Sequence, residues 1–178
     1  MHETTSLPRS VRREQVLYED PYQQMVRVVA EFDGFVKEYY VSERKERSAL
    51  LVVTDGKVLL SRQYRLLVER VALEIPGGGI EEGETAAEAA LRECLEETGV
   101  RAFDARPLVK YHPSLDILRN FTHIFLAEAC ADEKSVAEDR RIWLPLERCL
   151  EMIFAGEILD VLTMAAVLAY RALPRNAS

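Results

Sequence analysis

Cysteine is scarce in this chain and poorly placed for any framework. Only Cys94, Cys130 and Cys149 occur in 178 residues. Their number is odd and no two stand in a CxxC spacing, which argues against a disulfide scaffold and a zinc knuckle and leaves buried thiols of a reducing compartment. Long apolar runs are missing too. The most apolar stretch, ILDVLTMAAVLAYRAL, is interrupted by Asp160, Thr163 and Arg171, so no membrane span is expected. The opening MHETTSLPRSVRRE lacks the apolar core of a secretion signal, and a cytoplasmic protein is the expectation. Positive charge is in deficit, with a formal net charge of −7. That disfavours nucleic acid or an anionic membrane as the main partner. A polyanionic ligand would need a divalent cation between it and the protein. Repeats and Pro/Ser-rich linkers are absent, and the length suits one domain over residues 1–178.

What is present is mostly strand. EQVLYED, MVRVVAEF and FVKEYYVS read as three strands, the last two joined at Asp33-Gly34. ALLVVT and KVLLSRQY flank Asp55-Gly56, a stronger hairpin signal, and VALEIP is a further strand ended by Pro76 and three glycines. Thr85 with Glu88 three residues later is a capping box, Ala87, Leu91, Cys94 and Leu95 form an apolar stripe, and Gly99 closes the helix. PLVKY, THIFLAEA and RIWLP are later strands, ADEKSVAEDR is a charged loop, and two helices follow, from Pro145 to Phe154 and from about Asp160 to Leu173. Many strands with one central and two late helices predict an α+β fold.

The segment RECLEETG, residues 92–99, sets a physical problem. Glu93, Glu96 and Glu97 sit in the last turns of the helix, where the partly negative carbonyl end opposes them. Glu93 and Glu97 also repel each other at i,i+4 by roughly 0.2–0.5 kcal/mol. On the helix alone two readings stand level. One is a solvated acidic face, with Arg92 reaching Glu96. The other is a hard-oxygen site for Mg²⁺ or Mn²⁺, which would turn both repulsions into attraction.

The flanks separate them. GGIEEGETAAEAALRECLEETGV, Gly78 to Val100, resembles the Nudix box of the Nudix hydrolase family: Gly78, five residues, Glu84, seven residues, Arg92-Glu93, an apolar residue, one residue, Glu96-Glu97, one residue, Gly99 and an apolar residue. Cys94 stands where an aliphatic residue is usual, and a buried thiol is a small hydrophobe. The resemblance implies the Nudix fold, an α/β/α sandwich around a mixed β-sheet. It also implies hydrolysis of a nucleoside diphosphate linked to another moiety, with divalent metal. Carried over, Glu93 and Glu97 are the principal metal ligands and the Gly77 carbonyl completes the site. Glu96 is a third ligand or a base acting through water. Arg92 and Glu84 pair and orient the loop.

RQYR (62–65) followed by LEIPGGGIEEGE resembles the ADP-ribose/ADP-sugar pyrophosphatase branch. This implies that Arg65 contacts substrate phosphate or ribose. Glu74, the only charge in VALEIP, reads as a buried substrate-side acid or as an outward strand residue. The resemblance also implies an N-terminal antiparallel strand extension at about 13–42 that builds a homodimer, and a further glutamate on the loop before the closing helices, for which Glu138 aligns best and Glu133 stands in reserve. The expected substrate is a nucleoside diphosphate sugar, cleaved to nucleoside monophosphate and sugar phosphate. One departure leaves the sugar open: Pro113-Ser114 is followed by Leu115-Asp116, without the glycine usual in that turn. A nucleoside triphosphate or dinucleoside polyphosphate is the alternative substrate. A non-catalytic nucleotide sensor is disfavoured because all three box glutamates are present.

Overall fold

The computed structural model describes residues 6–132 and 138–174, without the side chains of Asp132 and Glu138. In chain order the strands are β1 (Ser10–Asp20), β2 (Gln23–Phe32), β3 (Phe35–Arg44), β4 (Arg47–Thr54), β5 (Lys57–Arg65), β6 (Arg70–Glu74) and β7 (Gly77–Gly79). Helix α1 (Ala86–Thr98) follows, then β8 (Val100–Phe103), β9 (Arg106–Tyr111), β10 (Leu118–Arg119), β11 (Thr122–Ala127), β12 (Ala129–Asp132) and β13 (Arg141–Pro145). Helices α2 (Leu146–Phe154) and α3 (Val161–Ala172) close the chain. The α+β reading holds. Contacts divide the chain into two compact units, one of residues up to 46 with 112–121, the other of 47–111 with 122 onward.

In the first unit β1, β2 and β3 form an antiparallel meander, and β10 adds to β3 in parallel. Asp20 sets the β1–β2 turn by accepting from the amides of Tyr22 and Gln23 at 2.7 and 2.9 Å. Those two amides hold its carboxyl below the usual range despite some desolvation. Phe32 and Phe35 stack across the β2–β3 turn with ring centroids 4.8 Å apart. Val26, Val28, Val29 and Ala30 of β2 are buried, whereas Val11, Leu17 and Tyr18 of β1 are exposed.

The second unit is built on β4. It pairs with β11 in parallel and with β5 and β7 antiparallel, so the sheet is mixed. Every residue from Ser48 to Val53 is buried, and successive side chains enter opposite layers. Ala49, Leu51 and Val53 join Val58 and Leu60 of β5 with Cys149, Met152, Leu162 and Ala166 of α2 and α3. Leu50, Val52 and Leu59 pack with Ala90 and Cys94 of α1. This is the α/β/α sandwich, and each fully buried leucine in it contributes about 1.5–3 kcal/mol. The β4–β5 turn at Asp55-Gly56 has φ of 48° and 70°, the positive values a type I′ turn requires.

Three local expectations need correction. The glycines after Pro76 are not simply a strand end, because Gly77–Gly79 forms β7 against β4. A Cβ on Gly77 would collide with Ala49 and the Ser48 carbonyl, so only glycine lets the backbone pass there, and one on Gly78 would displace the Glu93 carboxylate. The charged segment is shorter than expected, since Ala129–Asp132 pairs with β8. Finally, the fully buried face of α1 is Ala89, Ala90, Cys94 and Thr98, while Ala87, Leu91 and Leu95 are only partly covered. The small residues lie innermost because α1 packs close on β4.

Candidate active site

The sequence-predicted glutamates are placed by α1 and by the strands beneath it. Thr85 Oγ1 accepts from the Glu88 amide at 3.2 Å and the Glu88 carboxylate accepts from the Thr85 amide at 2.8 Å, which is the predicted capping box. Gly99, with φ of 68°, ends the helix. The adverse carbonyl end receives a cation from elsewhere: Arg141 of β13 donates to the Thr98 carbonyl at 3.1 Å.

Arg92 organises the first half of the site. Its Nε and Nη2 donate to the two Glu84 oxygens at 2.8 and 3.0 Å, a bidentate pair. Nη2 also donates to the Gly79 carbonyl at 3.0 Å, and Nη1 reaches Glu93 at 2.8 Å and Glu96 at 3.3 Å. One guanidinium thus ties the box loop, the end of β7 and two helix glutamates together. The Arg92 guanidinium holds the Glu84 carboxyl below the ordinary range, and the Glu84 pairing raises Arg92 further above its own. Glu93 is 16% exposed and Glu96 58%, so only the former lies inside the site.

Glu97 has a different setting. Its partners are Gln63 Nε2 and the Gly77 amide at 3.2 Å, with Ser61 Oγ at 3.4 Å sharing its one proton between Glu97 and the Glu74 carbonyl at 3.2 Å. Burial pushes its carboxyl above the usual range, and the negative charges of Glu93 and Glu74 push the same way against the Gln63 and Gly77 hydrogen bonds. Ser61, Gln63 and Arg65 alternate along β5 and so present one face. Arg65 Nε donates to Glu74 of β6 at 2.7 Å as part of a bidentate pair. That pairing is the chief reason the Arg65 guanidinium is raised.

Arg65, Glu74 and Gly77 share a cavity of about 270 Å³ with Arg47 and Asp160, against an apolar wall that includes Leu67 and Leu159. Arg47 reaches the Gly77 carbonyl at 3.4 Å. The backbone of Glu138 lies in a short 3-10 turn, Glu138–Arg140, tethered to β5 by Arg62 donating to the Asp139 carbonyl at 3.3 Å. The Glu138 side chain and all of Glu133 lie outside the described residues.

The structure thus brings Arg92 together with Glu84, Glu93 and Glu96, Glu97 together with Gly77, and Arg65 together with Glu74. It does not close the carboxylates around one point: among the described residues no three acidic, histidine or cysteine groups gather at a metal-ligating distance. The donor chemistry nevertheless suits a hard divalent cation. Glu97 is a desolvated carboxylate beside like charges with uncharged hydrogen-bond partners. Gln63, Ser61, Arg47 and Arg141 were not singled out from the sequence. The period-two alternation of SRQYR pointed to the first two, because residues flanking Arg65 at i−2 and i−4 share its face. Nothing local marked the other two.

Comparison with known proteins shows the family. The NUDIX domain profile matches residues 44–160. The chain belongs to the Nudix family. An ADP-ribose pyrophosphatase of Bacillus subtilis is 35% identical to this Nudix chain over 130 residues, 67% of this chain and 68% of the relative. A CMP-5'-(N-acetyl-N-hydroxy-3-aminopropyl)phosphonate hydrolase of Streptomyces rubellomurinus is 30% identical over 71% of this chain and 64% of the relative. A crystal structure of an ADP compounds hydrolase superposes with a TM-score of 0.77 over 96% of this chain and 95% of that one, at 22% identity, and shows the same Nudix fold.

Proposed function

We propose that the protein hydrolyses the diphosphate linkage of a nucleoside diphosphate sugar, with ADP-ribose-like compounds as the substrate class. Water adds to one phosphorus, the bridging P–O bond breaks, and a nucleoside monophosphate and a sugar phosphate leave. The observation that carries this reading is the Arg65–Glu74 cavity opening beside Gly77, whose amide holds Glu97. It offers cations for a diphosphate, acids for sugar hydroxyls and an apolar wall for a base. The two relatives, by their names, act on a nucleotide joined to a second group.

Glu93, Glu97 and the Gly77 carbonyl would hold a divalent cation, Mg²⁺ or Mn²⁺, which supplies charge neutralisation at the diphosphate and a lowered water pKa. The chain's own groups do the rest. Arg92 fixes Glu84, the box loop and Glu93. Gln63 and Ser61 hold Glu97 in place. Arg65 and Arg47 face the phosphates, and Glu74 orients Arg65. Glu138 positions the attacking water, and Glu96 takes that role if neither Glu138 nor Glu133 does.

A homodimer built through residues 13–42 completes the proposal. The exposed Val16, Leu17 and Tyr18 of β1 support it, and light scattering at micromolar concentration tests it. The activity test is a panel of nucleoside diphosphate sugars, nucleoside triphosphates and dinucleoside polyphosphates with Mg²⁺, scored for released phosphomonoester. The highest kcat/KM on a diphosphate sugar supports the reading, and preference for a triphosphate overturns it.

A further inference from the structure

The segment between β6 and β7 carries Glu74 at one end and Gly77 at the other, so its course sets how the cavity meets Glu97. Its polar backbone groups are tied one by one. The Glu74 carbonyl accepts from Ser61 Oγ at 3.2 Å, the Pro76 carbonyl from the Leu50 amide at 3.0 Å, and the Gly77 amide donates to Glu97. The amide of Ile75 has a partner of another kind. It donates to Thr163 Oγ1 at 2.9 Å, 88 residues away in the first turn of α3. Thr163 is fully buried and Ile75 almost so, at 2% exposure.

The direction of this bond is set by a third residue. Asp160 is the N-cap of α3, and its Oδ2 accepts from the Thr163 amide at 2.8 Å and from the Thr163 hydroxyl at 2.6 Å. The hydroxyl proton is therefore committed to Asp160, and an oxygen lone pair is left facing Ile75. Asp160 and Leu162 also line the cavity itself. A helix cap, a buried hydroxyl and an active-site backbone amide form one chain of hydrogen bonds.

We infer that Thr163, oriented by Asp160, is a positioning residue of the active site: through the Ile75 amide it holds the 74–77 segment in the course that places Gly77 beside Glu97. A capping threonine at this depth needs no bond to another strand in order to stabilise α3, and Asp160 already supplies the cap. The Ile75 contact is thus separable from the capping function. As read out by catalysis, the inference rests on the diphosphatase activity proposed above.

The test compares Thr163→Val and Thr163→Ser in the full chain. Valine keeps the shape and removes the hydroxyl, and serine keeps the hydroxyl. With the best diphosphate sugar, Thr163→Val is expected to lower kcat about 10- to 100-fold, the scale of a small misplacement. KM should move less than about threefold, because Arg65 and Glu74 keep their own pairing. Thr163→Ser is expected to stay within about threefold of wild type in kcat, following the hydroxyl rather than the bulk. Amide hydrogen exchange, read without substrate or metal, should speed up at Gly77 as well as Ile75 in Thr163→Val and stay native in Thr163→Ser. A native kcat in a folded Thr163→Val protein overturns the inference, as does a serine variant as slow as the valine one. If wild type cleaves no diphosphate sugar, the functional reading fails and the exchange comparison decides the relay alone: native exchange at Gly77 in Thr163→Val overturns it.

Discussion

The two ends of α1 treat the same side chain in opposite ways. Before its start, Glu84 is locked to Arg92 charge to charge, in two parallel hydrogen bonds. In its last turn, Glu97 is held by an amide side chain, a hydroxyl and a backbone amide, all uncharged. The first arrangement satisfies its charge and lowers the carboxyl pKa. The second leaves a desolvated negative charge and raises it. A satisfied pair holds a loop in place. An incompletely compensated carboxylate has affinity left for something else. The helix therefore has a structural end and a reactive end, separated by about three turns.

The largest expected effect is at the reactive end. Glu97→Gln should lower turnover roughly 10²–10³-fold, the scale for removing one preorganised electrostatic group. The metal-free protein should be as stable as wild type or more stable by up to about 0.5 kcal/mol, because a repulsion is removed. Initial rates at saturating Mg²⁺ and urea unfolding measure the two halves, and a near-native rate would erase the contrast. Arg92→Met acts on both ends. It should lower kcat about 10- to 100-fold, the scale for losing an outer-shell partner. It should also cost about 2 kcal/mol of stability, less than a fully buried pair would because these groups retain some solvent. Equal rates with a large stability loss would confine Arg92 to the structural side.

Thr85→Ala tests the structural end by itself. Loss of the cap should cost about 1 kcal/mol in urea unfolding, with kcat within about twofold of wild type. The smallest effect is one of pH. Glu84 has a folded pKa below its ordinary value of about 4.3. Its pairing therefore contributes stability that is present above that value and is lost as pH falls through the lowered folded pKa. Wild type should exceed Glu84→Gln in urea midpoint at pH 7, and the gap should close as pH falls below the ordinary value. A gap that persists unchanged at pH 3 would mean that packing, not charge, distinguishes the two.

Much of the site was open to reading because its signals are short-range. The capping box and Gly99 are three- and one-residue features of backbone geometry. The Asp55-Gly56 turn needs only two positive φ values. Arg92, Glu93, Glu96 and Glu97 fall at helical spacing, which assigns them to α1, and the resemblance to the Nudix box added Glu84. The β7 strand escaped because three glycines carry no alternation. The expected stripe of α1 was met at Cys94, with Ala87 and Leu91 packed on the same core, while Ala89 and Ala90 escaped because alanines look weakly apolar in a sequence, although close packing on β4 favours them.

The sequence by itself determined most of the elements and the α+β class, since propensity, periodicity and capping act within a few residues, and its resemblance to the Nudix box marked the acids of the site. Only the tertiary structure decided the partners that come from distant elements. Gln63 meets Glu97 across 34 residues, Arg141 meets the end of α1 across 43, and Thr163 meets Ile75 across 88. Such contacts leave no period in the chain, because they depend on which strand faces and layers become adjacent once the β4 sheet is buried on both sides.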